Sequence, residues 1–162
     1  MIPAAVIDVG WVNGLAAIRS LGRAGIRVVA VDHRRSALGF RSKYAEPLLS
    51  PDPFEDEHAF VDVVRRLGEV VVFPTHDDSL NVVARHAVDL EVRTPFPEWK
   101  VLERVQSKRA QLERASALGI GTPVRDPGTF PVVVKPEQVR ANAAAGEWEP
   151  SPGDLAALNE LR

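Results

Sequence analysis

The chain has 162 residues, enough for one good core or for one domain with part of another, and 45% hydrophobic with 26% charged residues is ordinary for a folded soluble protein. Lys and Arg number 20 against 22 Asp and Glu, and the formal net charge of -2 gives no general attraction to nucleic acid or to an anionic membrane. The absence of cysteine excludes disulfides, thiolate metal sites and thiol nucleophiles together.

The opening MIPAAVIDVG has no basic leader and its apolar run is short, so neither a signal peptide nor a membrane anchor is expected, and a cytoplasmic protein is. Residues 4–9, AAVIDV, read as a strand buried on both faces. Residues 13–24 place Leu15, Ile18 and Leu21, or Ala17, Leu21 and Ala24, on one helical face, with Gly25 as the stop. A second buried strand follows at 26–32, IRVVAVD. The segment PDPFEDEHAFVDVVRRLG is an acidic helix start with Phe54, Phe60, Val61, Val64 and Leu67 turned inward. Residues 70–75, VVVFPT, form a third strand, DSLNVVARHAV a helix, and LEVRTP a short fourth strand. Strands alternating with helices imply an α/β fold, a Rossmann-like parallel sheet with helices on both faces.

The pattern changes after Pro95, which divides the chain into a first domain at 1–95 and a second, partial one at 96–162. Two helical stretches follow the proline-rich joint PFPEW, with Ser107 as the cap of the second and Gly119 as its end. PVVVK is one further strand, residues 137–150 read as loop or disorder, and SPGDLAALNELR reads as a short helix.

Three loops leave the carboxyl ends of the first three strands, where parallel sheets bind ligands: DVGWVNGL, DHRRSALGFRSKY and PTHDDSL. In the first, Gly10, Asn13 and Gly14 suit an anion or a polar small molecule at a helix start, and equally a plain glycine turn with an Asn cap. Val12 breaks any G-x-G-x-x-G pattern, although Asp32, 22 residues after Gly10, stands where a dinucleotide fold keeps its ribose ligand. In the third loop, Thr75 caps the next helix with Asp78 reaching back, while Thr75, His76, Asp77 and Asp78 stand where a substrate pocket would be. His76 and Asp77 make a poor catalytic pair, being adjacent. His33, His58 and His86 lack metal-ligand spacing, and His58 and His86 read as solvated helix residues. Arg34, Arg35, Arg41 and Lys43 make the second loop basic, either as an anion site or as a solvated loop.

Lys108 opens a helix, and Lys135 closes the strand that follows GIGTP. The run SKRAQLERASALGIGTPV, followed by FPVVVKP, resembles the entry into an ATP-grasp domain, where an Asp-Lys or similar pair opens a helix, a G-I-x-x-P turn follows and a strand ends P-x-x-x-K-P. Upstream, NGLAAIRSLGRAGIRVVAVD, ALGFRSKYAE and FPTHDDSL are similar to the domain preceding it in predicted carboxylate-amine ligases, so that the resemblance covers residues 3 to about 136. It implies ATP held by Lys108 and Lys135 and a carboxylate activated as its acyl-phosphate for attack by an amine. Asn13, Gly14, Thr75 and Asp77 would face the acceptor substrate. Ser107 replaces the usual acidic neighbour of Lys108.

The family's second lobe carries the Mg2+ ligands and the catalytic arginine, and nothing in this sequence stands in for it. The expectation is therefore a truncated or split ligase, not competent alone, completed by a separate C-terminal lobe or by a homodimer. A non-catalytic Rossmann-like ligand-binding or interaction module is the alternative. An NAD-linked enzyme rests on Gly10 and Asp32 alone.

Overall fold

The computed structural model describes residues 1–122. The chain divides into two compact units, Met1–Leu102 and Glu103–Arg162. In the first unit, four strands, β1 (Ala4–Ile7), β2 (Val28–Asp32), β3 (Ala45–Leu49) and β4 (Val71–Pro74), form one sheet. The order is β3-β2-β1-β4 and every pairing is parallel. The chain moves outward from β1 to β3 and then returns to the other side of β1. The topological switch point, where such sheets open a crevice beyond their carboxyl ends, therefore lies between β1 and β4.

The helices follow from the apolar periodicity. Helix α1 (Val12–Arg23) lays Ile18 on one face of the sheet against Val6, Val9, Val28 and Ala30. Helices α2 (Glu57–Arg66) and α3 (Asp77–Leu90) cover the other face, where Phe60, Val64 and Val83 meet Ile7, Val31 and Val72. Neighbouring strand residues go to opposite faces, as the two-residue pleat requires: Val6 to the α1 side and Ile7 to the other. Gly25, at φ 78, ends α1 as expected. Asp56 caps α2 by accepting from the Ala59 amide at 3.0 Å.

Three expectations change here. LEVRTP is not a strand. Arg93 makes a single parallel bridge to Val71, and Pro95 and Pro97, without N–H groups, cannot extend it. The fourth strand is instead β3, which follows the basic loop and its 3-10 turn at Leu38–Arg41, in residues to which the sequence reading gave no element. Its Pro47 and exposed Glu46 hid it, yet an edge strand tolerates both because one side of its backbone pairs with nothing in the sheet. Phe54 does not turn inward. It precedes α2 and is 66% exposed.

Beyond the sheet, α4 (Trp99–Gln106) carries the buried Leu102, and the Arg85 guanidinium lies over the Trp99 ring, 5.4 Å from its centre. This packs the start of α4 onto α3 of the same unit. The break at Ser107 is as expected: its hydroxyl accepts from the Ala110 amide at 3.1 Å and starts α5 (Lys108–Ala117). The strand PVVVK with Lys135, residues 137–150 and the closing helix lie outside the described residues.

Candidate functional site

At the carboxyl ends of β1 and β4 an unusual residue ends an apolar run. Asp8 follows Ile7 directly, is 8% exposed and has φ 62, a left-handed conformation that Asp and Asn adopt more readily than other non-glycine residues. A buried carboxyl at a positive φ is costly on both counts, and such outliers concentrate where a protein binds something. Its amide donates to Val31 at 3.0 Å, its carbonyl accepts from Thr75 Oγ1 at 3.0 Å, and its carboxyl meets the Ser79 hydroxyl on α3. Burial pushes the Asp8 carboxyl above its ordinary value, Asp32 and Asp78 add to this, and Ser79 and His76 pull against it.

Thr75 does not cap α3, and no capping box with Asp78 forms. Its hydroxyl faces β1, 2.8 Å from the Ile7 carbonyl and 3.0 Å from that of Asp8. The residue preceding α3 is His76, whose side chain makes no cap bond. Asn13 likewise is no cap. It sits inside the first turn of α1, and its Nδ2 donates across the crevice to the Thr75 carbonyl at 2.6 Å. Asn13 and Thr75 are thus brought together. Gly14 is buried beneath them, where an added Cβ would lie 2.7 Å from Val9 Cα and 3.0 Å from the Asp8 carbonyl oxygen. Its lack of a side chain lets α1 and β1 approach. Asp77 is the first residue of α3, half-buried, where a carboxylate meets the positive end of the helix dipole.

Asp32 does not wait for a ribose. It is 1% exposed, and its carboxylate accepts from the Gly10 amide at 2.6 Å, from the Arg34 amide at 2.9 Å and from Arg34 Nε at 3.2 Å. Those bonds hold the first loop against the second. Arg34 is therefore an internal partner, and its guanidinium also lies 5.2 Å over the Trp11 ring. Trp11, 53% exposed, stacks against His76 with ring centres 6.4 Å apart and planes at 19°. The remaining basic residues keep outward positions, with the Lys43 ammonium over the Tyr44 ring at 5.0 Å.

His86 is not simply solvated: its Nε2 lies 2.8 Å from Glu57, which also accepts from Arg85 Nη2 at 2.6 Å. Lys108 stands far along the chain as the first residue of α5, half-buried. Among the described residues no group of three or more His, Asp or Glu side chains could hold a metal ion, and no helix is long and apolar enough to cross a membrane.

Sequence reading alone passed over Asp8 and Ser79. The signal was present in a charged residue interrupting AAVIDV, yet only the tertiary pairing with α3 gives it meaning.

No protein-family model matches this chain, and no curated protein sequence matches it. Among solved structures it is similar to an L-amino acid ligase from Bacillus licheniformis, with 22% identity and a TM-score of 0.59, over 76% of this chain and 30% of the ligase. It is also similar to a single-chain, multi-domain long-chain acyl-CoA carboxylase, with 20% identity and a TM-score of 0.54, over 90% of this chain and 14% of the carboxylase. The chain thus spans less than a third of the length of either neighbour. At these identities the likeness speaks for the fold. It is an α/β fold with a four-stranded parallel sheet between helices, as the alternation of strands and helices in the sequence implied.

Proposed function

We propose that this chain is the amino-terminal portion of an ATP-dependent carboxylate-amine ligase of the ATP-grasp type, in which the strand-end loops of the first domain face the acceptor substrate. The observation that carries the reading is the interlocked loop cluster at the switch point between β1 and β4, on a fold shared with an L-amino acid ligase. The proposed division is a substrate-side domain at 1–95 and the beginning of the ATP-grasp lobe at 96–162.

Each named residue has a role in this reading. Asn13 and Thr75 hold the α1 and β4 loops at one spacing, and Gly14 lets the helix start approach the strand. Asp77 supplies a carboxylate beside the crevice. Lys108, with Lys135 outside the described residues, would neutralise ATP phosphates as a point charge. The described residues do not by themselves form a nucleotide or magnesium site. ATP supplies acyl-phosphate activation of a carboxylate when bound, and Mg2+ neutralises its phosphates. The remaining machinery comes from sequence outside residues 1–122, from a separate C-terminal lobe or from a second copy.

The test is calorimetric titration of the 162-residue chain with MgATP, beside Lys108→Ala and Lys135→Ala. The expected result is weak binding, weakened further by either substitution, with no ATP turnover by the chain alone. Binding indifferent to both lysines would overturn the nucleotide assignment.

A second reading has one observation of its own: the loop cluster lies wholly within the unit Met1–Leu102. A non-catalytic ligand-binding module of this fold would retain ligand binding in a fragment ending after Pro95, with Lys135→Ala without effect.

A further inference from the structure

Two neighbouring stretches of the chain carry opposite charge in blocks. Residues 9–45 hold seven Lys and Arg against one acidic residue, Asp32, and residues 46–64 hold six Asp and Glu with no Lys or Arg. The whole chain, at a formal net charge of -2, has little overall field, so these blocks make two local ones.

In the basic block, Arg34 is engaged with Asp32 and Arg27 with Glu46. The other five, Arg19, Arg23, Arg35, Arg41 and Lys43, are exposed, and none pairs with a carboxylate among the described residues. The fold gathers them. Gly22 of α1 abuts the Tyr44 side chain, and Ile18 lies against Gly39 of the 3-10 turn. Arg19 and Arg23, each one residue further round α1, therefore stand beside the segment that carries Arg41 and Lys43. Leu38, in the same 3-10 turn, is an exposed apolar side chain.

In the acidic block, Arg27, Arg65 and Arg85 hold Glu46, Asp62 and Glu57. Asp52, Glu55 and Asp56 have no such partner, and they flank Phe54, whose ring is 66% exposed in the turn before α2. The turn is held by its own bonds. The Phe54 amide donates to Asp52 Oδ1 at 2.8 Å, and the Glu55 and Asp56 amides donate to the Asp52 carbonyl. A turn fixed in this way around an exposed ring loses little freedom when the ring is buried against a partner.

The basic face lies on the α1 side of the sheet, where Ala37, Phe40 and Tyr44 join Ile18, whereas α2 packs on the other side. With the sheet between them, one copy cannot lay its acidic turn on its own basic face. Two copies can. We propose that the turn at 52–56 of one copy docks on the basic α1 face of a second copy, with Phe54 set among Arg19, Arg23, Arg41 and Lys43. Charge complementarity steers the contact, and a guanidinium over the ring adds to it. Each copy offers both surfaces, so copies add head to tail. A nucleic acid fits this face less well, because the acidic block repels a phosphate backbone that runs past the patch. The contact needs no ligand and stands or falls separately from the ligase reading.

The test is sedimentation of the full chain at low salt and at about 1 M salt, where the Debye length is about 3 Å. The expected result is a mass that rises with concentration at low salt and falls back toward the monomer at high salt. Two variants each block one surface through exposed side chains: Arg19→Glu with Arg41→Glu, and Phe54→Ala with Glu55→Lys. Each alone is expected to melt as the parent does and to associate at least about tenfold more weakly. Mixed, they are expected to give a one-to-one dimer and nothing larger, since one intact surface of each kind remains. Variants that associate as the parent does, or a mixture that yields no dimer, overturn the proposal. A parent that is monomeric at low salt at every concentration also overturns it. Uptake of a short DNA duplex, lost in the first variant, would then give the face to a nucleic acid.

Discussion

The two ends of the sheet use charge differently. At the carboxyl end each polar group holds a piece of backbone: the buried Asp32 the Gly10 and Arg34 amides, the half-buried Thr75 the carbonyls of β1, and the exposed Asn13 the carbonyl of Thr75. At the amino end, a hollow of about 520 Å³ is lined by Arg65, Glu69, Asp89, Glu91 and Arg93. Charges there meet in solvent. Arg93 reaches Glu69 at 2.9 Å with both side chains more than 60% exposed, and Arg27 forks onto Glu46 at 2.8 and 2.6 Å. The number of charged groups therefore says little about how tightly an end is built. What matters is whether water can replace the partner when it is removed.

The strongest way to break the carboxyl end is to fill its closest approach. Gly14→Ala sets a methyl against Val9 Cα, a backbone atom that cannot turn aside, and a loss of about 3 kcal/mol in urea unfolding is expected. A neutral result would mean that α1 is not seated as described. Next, Asp32→Ala strands the Gly10 and Arg34 amides in a part-buried place and is expected to cost about 2 kcal/mol. If instead Asp32 served a ribose, the substitution would leave stability nearly untouched.

Glu57 lies between these extremes, joining α2 to α3. Burial pushes its carboxyl up, but Arg85 and His86 outweigh this and hold it below the ordinary glutamate value. Its contribution is therefore present above the unfolded value and lost as pH falls through the folded one. Glu57→Gln is expected to cost about 1 kcal/mol or less at neutral pH and nothing in acid, seen as a flattened acid limb of the melting curve. An unchanged acid limb would count against the pairing. The smallest effect is expected at the amino end: Arg93→Ala should cost under about 0.5 kcal/mol, and raised salt should erase it. A loss above about 1 kcal/mol there would blur the contrast between the two ends.

Much of the fold was legible before any coordinates. The apolar runs at 4–9, 26–32 and 70–75 became β1, β2 and β4 because a strand buried on both faces must be apolar throughout. Ile18, Phe60 and Val64 were readable from helical spacing, and Ser107 from its place before a helical run. Strand β3 was not, since its exposed Glu46 and its Pro47 carry the signature of a loop.

The candidate site was readable in location and much less in role. Asn13 and Thr75 were singled out in the strand-end loops, but both looked like helix caps until the bond between them joined residues 62 apart. By itself the sequence determined the alternation of strand and helix and therefore the crevice, because periodicity and capping are local properties of the chain. Tertiary structure alone decided that Asp32 is a clamp, that Arg34 belongs to it and that Asp8 meets Ser79. A polar residue takes its role from the partner that replaces water around it, and that partner is brought by the fold from a distant part of the chain.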